Sequence, residues 1–167
     1  VGYQRTETRY GRGGSGYSSW EFSKYDNDKP HKGGNVDRDE IFARISYFLE
    51  RVIPVAEEYK VQMACHLPDP PAHVLRGEER WNFPVFEGLK RFSELVDSPC
   101  HGFHFCCGVA SEGLEKPGEQ LPEIVEYFSS RQKIFNVHFR NIRGGLNDFV
   151  EVWPDEGDVD MLTLARI

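Results

Sequence analysis

Two imidazoles and a thiol, His66, Cys106 and His138, each fall near the end of a short apolar run: VQMACH, HGFHFCCG and KIFNVHFRN. Each is separated from the next by about the length of one strand–helix–strand unit. If the runs are parallel strands, their carboxyl ends lie on one side of a sheet, where α/β folds build their sites. The three donors would then converge on one point and hold a divalent cation.

Side-chain parity sharpens this reading, because successive residues of a strand face opposite sides. His66 shares a face with Ala64 and Gln62, Cys106 with His104, and His138 with Asn136 and Arg140. The opposite faces carry Val61, Met63 and Cys65, then Phe103, Phe105 and Cys107, then Phe135, Val137 and Phe139. Those apolar sets call for helices packed on them, so the polar parity points to a shared interior. By this parity Cys106, and not its neighbour Cys107, is the ligand.

Taken singly, a buried cysteine is a small core residue and a strand-end histidine is a structural hydrogen bonder. Three together on one parity favour a site. The absence of a CxxC pair argues against a closed structural zinc site. Ligands from separate elements leave coordination positions open for Lewis-acid chemistry. Imidazole and thiolate suit Zn²⁺, Fe²⁺ or Mn²⁺, and ligand type alone does not select among them. His101 and His104, earlier on their strand, and His73, in a loop, read as structural or surface residues. Asp155, Glu156, Asp158 and Asp160 read as a solvated loop and helix start, with one of them reaching the site as the lesser alternative.

The elements that must position these groups follow from periodicity. Residues 1–35, rich in Gly, Ser, Tyr and charge, are expected to form a hairpin or loop region around GRGGSG, since clustered glycines permit tight turns. A phosphate-cradling loop is disfavoured there, because neither a P-loop nor a strand-then-GxGxxG context is present. Asp37 with Glu40 forms a capping-box-like start. Ile41, Ile45, Phe48, Leu49, Val52, Ala56 and Tyr59 then mark one helical face. Pro54 is expected to kink or divide that helix.

A second helix is predicted over 83–97. A third is predicted over 121–131, with Pro122 in its first turn. After a Gly-rich loop and FVEVWPDEGDVD, a further helical pattern begins at MLTLARI. Over 36–167 the order is helix, strand, helix, strand, helix, strand. That is the pattern of an α/β fold with parallel strands joined by helical crossovers, and 1–167 reads as a single domain.

Composition excludes several classes. A net charge of −7 opposes non-specific nucleic-acid binding. No run approaches the roughly 18 apolar residues of a membrane span, and VGYQRTETRY has no signal-peptide core. The four cysteines form no loop framework. They read as reduced thiols of a cytoplasmic protein.

The segments YFLERVIPVAEEYKVQMACHLPDPP, SPCHGFHFCCG, RQKIFNVHFRNIRGGLNDFVEVWPDEGDVDM and, upstream, RTETRYGRGGSGYSS resemble the mannonate dehydratase family in the same order. The resemblance runs across nearly the whole chain. It implies part of a xylose-isomerase-like TIM (β/α)8 barrel. It also implies a lyase of hexuronate breakdown that removes water from D-mannonate, giving 2-keto-3-deoxy-D-gluconate, with Mn²⁺ or Fe²⁺. The family's metal-binding His, Cys and His match His66, Cys106 and His138.

For such a substrate, Arg140 on the face of His138 would hold the sugar-acid carboxylate through a bidentate pair, with Asn141 and Arg143 as further candidates at the mouth. A surface salt bridge is the equal alternative for Arg140. The sequence departs from the family in lacking its later PDH-like motif, which supplies a metal-binding Asp and a catalytic His. FHFCCG also stands where LNFCQG is usual, placing His104 at an Asn position and Cys107 at a Gln position. The alternative reading is a catalytically incomplete fragment or descendant that binds a sugar acid or metal, or acts structurally. Uncovered sheet edges are expected to drive homo-oligomerisation or pairing with a chain that completes the barrel.

Overall fold

The computed structural model describes residues 6–29 and 33–167. Of the segment 1–35, residues 1–5 and 30–32 lie outside the described residues.

Asp37 caps the first long helix, α1 (Arg38–Glu58), its carboxylate accepting from the Glu40 N–H at 2.8 Å. The helix runs unbroken through Pro54. Pro54 does not divide it in two, which was one of the two outcomes expected. Pro54 lies exposed, one turn from the end, where the loss of one ladder bond costs least. The buried stripe is Phe42, Leu49, Ile53 and Ala56, with Ile41 and Ile45 packed beside it. Phe48 and Tyr59, assigned to the inner face from their spacing, are 53% and 70% exposed. The helix is therefore turned relative to the sequence reading.

Strand β3 (Met63–His66), helix α2 (Val85–Ser93), strand β6 (His101–Cys106), helix α3 (Cys107–Glu112), helix α4 (Pro117–Ser129) and strand β7 (Ile134–His138) follow. A small ribbon, β4 (Val74–Leu75) with β5 (Glu78–Glu79), lies between β3 and α2. Two boundaries differ from expectation. The segment read as one strand to Gly108 leaves the sheet at Cys106, and α3 begins at the next residue. Helix α4 starts four residues early, so Pro117 occupies its first turn and Pro122 lies inside.

The strands form a parallel sheet in the order β3-β6-β7. His66 pairs in register with His104, and Cys106 with His138. On the outer face Phe103 and Phe105 are almost fully buried. Phe103 meets Phe92 of α2 at 5.3 Å and Phe128 of α4 at 5.1 Å between ring centroids. The helical crossovers cover this apolar parity and fix which face is left for chemistry.

Strands β1 (Glu7–Tyr10), β2 (Gly16–Glu21), β9 (Asp148–Val152) and β8 (Asn141–Gly145) pair antiparallel in that order. The hairpin expected around GRGGSG forms as β1 and β2, and its extension by β9 and β8 into a second sheet was not foreseen. The segment read as a Gly-rich loop is therefore strand β8. Its partner supplies the pairing that its own propensity does not, and Asn147 at φ 78° makes the turn into β9. Trp20, Phe149, Ile142, Leu75 and Ala72 form the core of this layer. A short helix, α5 (Met161–Leu164), ends the chain, capped by Asp160. No helix among the described residues is long and apolar enough to cross a membrane.

Candidate metal centre

The carboxyl ends of β3, β6 and β7 bring His66, Cys106 and His138 together. One ligand atom from each lies within 4.8 Å of the others. His66 Nε2 and His138 Nδ1 are 3.2 Å apart. Two donors on one ion at bonds of about 2.1 Å would sit roughly 3.0–3.4 Å apart, so this spacing fits a shared cation. His66 Nδ1 lies 2.7 Å from the Leu67 carbonyl. With the proton on Nδ1 it donates there, which leaves the Nε2 lone pair turned toward the centre. Both imidazoles are exposed while Cys106 is buried, so the cluster has a closed floor and an open front.

Burial pushes the Cys106 thiol up, and the Val109 N–H and the Arg140 guanidinium act against that rise. Its neighbour Cys107 is pushed up to about 12 by burial. Cys65, on the other face of β3, is pushed up to about 11 for the same reason. Neither thiol belongs to the cluster.

His104 belongs to this neighbourhood although its sequence reading was structural or surface. Its ring stands edge to face with His138 at 3.9 Å and with His66 at 5.3 Å. Its Nε2 is buried without a hydrogen-bond partner. Burial, then His138, lowers its pKa. The signal was present in the sequence, since His104 shares the parity of Cys106. His101, by contrast, is buried and bonded to the Phe92 carbonyl at 2.9 Å, and His73 is exposed beside Phe83.

Arg140, just past β7, is surrounded by carboxylates. Glu112 lies at 2.6 Å, Glu151 at 3.2 Å and Asp69 at 3.5 Å. Burial works against the guanidinium charge, and these carboxylates more than offset it. Glu112 is fully buried, and burial holds it well above the ordinary carboxylate range, against the pull of Arg140. No sequence signal linked these four residues. Arg140 also lines a cavity of about 560 Å³ with Tyr17, Ser18, Phe139, Glu151 and Trp153.

Asn141 does not fit the substrate-contact reading. It is 1% exposed and donates to the carbonyls of Pro154 and Val159, both at 2.8 Å, while its oxygen accepts from the Ile142 N–H. Its hydrogen bonds are used in fastening the 153–159 loop. Arg143 is exposed and donates to the Glu156 carbonyl at 2.7 Å. The acidic loop is fastened in the same way. Asp155 pairs with Arg12, Glu156 accepts from Tyr17, Asp158 accepts from the Gly144 N–H, and Asp160 caps α5.

Comparison with known proteins adds the following. The family model for D-mannonate dehydratase (UxuA) matches residues 16–166. Mannonate dehydratase of Thermotoga petrophila is 38% identical over 113 residues, covering 65% of this chain and 29% of that protein. Mannonate dehydratase of Shouchella clausii is 38% identical over 135 residues, covering 79% of this chain and 36% of its own. The crystal structure of mannonate dehydratase from Streptococcus suis serotype 2 superposes with a TM-score of 0.84 at 26% identity. That match covers 98% of this chain and 49% of the other. The chain thus spans about a third of the length of these curated relatives. The parallel sheet with helical crossovers is of the xylose-isomerase-like TIM-barrel type.

Proposed function

This chain belongs to the D-mannonate dehydratase family, and on that premise we propose that it serves the dehydration of D-mannonate to 2-keto-3-deoxy-D-gluconate. In that reaction the C2 proton and the C3 hydroxyl leave as water. The observation that carries the reading is the convergence of His66, Cys106 and His138 at the ends of three parallel strands. We assign these three as ligands of a divalent ion, Mn²⁺ or Fe²⁺, with Zn²⁺ compatible. When bound, such an ion supplies Lewis-acid stabilisation of the negative charge that develops as the proton leaves.

The chain's own residues do the rest of what is assigned here. His66, fixed by the Leu67 carbonyl, holds its ring toward the open front. The buried Cys106 closes the floor of the centre against water. The sugar acid is assigned to the open front of the centre, with its carboxylate toward Arg140. Arg140 and Arg143 are the cations assigned to that end of the molecule.

The test is binding of D-mannonate to the Mn²⁺-loaded chain, read by the Mn²⁺ paramagnetic resonance spectrum and followed by assay for the 2-keto-3-deoxy acid. A spectrum altered by the sugar acid, and lost in Cys106→Ser, supports the reading. A spectrum indifferent to saturating D-mannonate contradicts it.

Association with a second copy or a partner chain is part of the same proposal. Among the described residues no strand pairs with the outer edge of β3 or of β7. Val137 and Phe139 are 46% and 44% exposed beside that edge. A monomer at micromolar concentration by light scattering would contradict association.

A further inference from the structure

The two exposed imidazoles of the centre are held differently. His66 is fixed behind by the contact of its Nδ1 with the Leu67 carbonyl, at 2.7 Å. His138 has no such tie. Its Nδ1 faces His66 Nε2 at 3.2 Å, and among the described residues its ring makes no other hydrogen bond. A ligand that is to meet an ion in one orientation needs a partner behind it.

What stands beside His138 is a third imidazole. The His104 ring lies 3.9 Å from it between centroids at an interplanar angle of 73°, and 5.3 Å from His66 at 70°. Both contacts are edge to face. His104 Nε2 is buried with no hydrogen-bond partner, so this ring meets its neighbours by packing and not through a polar tie.

Strand pairing delivers the contact. Phe103 pairs with Ile134, but His104 pairs with Asn136, so Phe135 is an extra residue of β7 at this point. From there Cys106 comes level with His138. Without the extra residue Cys106 would stand opposite Val137, and His138 would turn to the other face. Gly102 leaves the room for it, since a Cβ there would meet the Phe135 ring at 2.7 Å.

We propose that His104 is a positioning residue for His138: its ring, packed edge to face, fixes the plane in which the His138 imidazole meets the ion. The inference rests on the metal-centre reading above and gives His104 a role apart from the three assigned ligands. One imidazole of the centre is thus oriented by a carbonyl and the other by a ring.

Co²⁺ is the probe, titrated into the full chain and read by its dissociation constant and its visible ligand-field absorption. The variants are His104→Ala, which removes the ring, His104→Phe, which keeps a ring without nitrogen, and Cys106→Ser. Each is checked for fold by circular dichroism. His104→Ala is expected to weaken Co²⁺ binding by roughly 10–100-fold and to alter the absorption. His104→Phe should recover most of the affinity and the absorption of the unmutated chain. Wild-type affinity and absorption in His104→Ala would overturn the proposal, as would a His104→Phe no better than His104→Ala. If His104→Ala does not fold, a loss of about tenfold or more in folded His104→Phe overturns it. Co²⁺ binding that the unmutated chain lacks, or that survives unchanged in Cys106→Ser, would instead remove the metal-centre reading, and this proposal with it.

Discussion

His66 Nε2 lies 3.2 Å from His138 Nδ1, although the two residues are 72 positions apart in the chain. Nothing local brings them together. Their approach is the work of two parallel pairings, β3 on β6 and β6 on β7, which set His66 beside His104 and Cys106 beside His138 at the same end of the sheet. Two imidazoles this close share either a proton or a cation, and Cys106 beside them favours the cation.

Replacement of either histidine by alanine should therefore act on ion binding far more than on the fold, since both side chains are exposed. His66→Ala or His138→Ala should weaken Mn²⁺ binding by at least the roughly 10–100-fold seen for loss of an outer-shell partner. Calorimetric titration measures this. In the unmutated chain, Mn²⁺ at about 100 times its dissociation constant should add about 2.7 kcal/mol of stability. At the same Mn²⁺ concentration both variants should lose about half of that increment or more.

Gly108→Ala tests the clearance that Arg140 needs. The new methyl would lie 2.7 Å from two stem carbons, and overpacking of this kind costs about 1–3 kcal/mol. Urea denaturation should show that loss. A variant of wild-type stability would mean that the arginine has another path.

Glu112 gives a pH dependence whose sign is fixed. Burial raises its folded value well above the ordinary 4.5, so the folded state binds this proton more tightly than the unfolded chain. Its contribution is full below the unfolded value and is lost as pH rises through the folded one. Glu112→Gln has no proton to lose and can still accept from Arg140. Relative to the unmutated chain, the variant should gain stability as pH is raised from about 5 to about 8. A gap that stays constant with pH would contradict the assignment.

Asn141→Ala should detach the loop that carries Asp155 and Glu156. Two carbonyls lose their donor inside the protein, a cost of about 1–3 kcal/mol. Hydrogen exchange should rise across 153–160 and leave β3 and β6 protected. Uniform exchange would show that the loop is held by other contacts.

Much of this arrangement was legible in the sequence, for physical reasons that can be named. The two-residue period of the strands separated Cys106 from Cys107. The apolar parity of Phe103 and Phe105 showed where helices must pack. The rest was hidden. Arg143, Gly144 and Gly145 have no strand propensity of their own, and only pairing with β9 makes them a strand.

Arg140, Glu112, Glu151 and Asp69 meet through tertiary packing alone, with no spacing to link them. Asn141 looked available because polarity, and not burial, is what a sequence displays. His104 was passed over because it lies earlier on its strand. The packing of its ring against His138 depends on the pairing of β6 with β7.

The central claim is that His66, Cys106 and His138 clasp one ion, and metal content tests it most directly. Purified chain reconstituted with Mn²⁺ or Fe²⁺ and measured by elemental analysis should hold one equivalent. Cys106→Ser should lose that equivalent, whereas Cys107→Ser should keep it. Equal metal content in all three proteins would contradict the account.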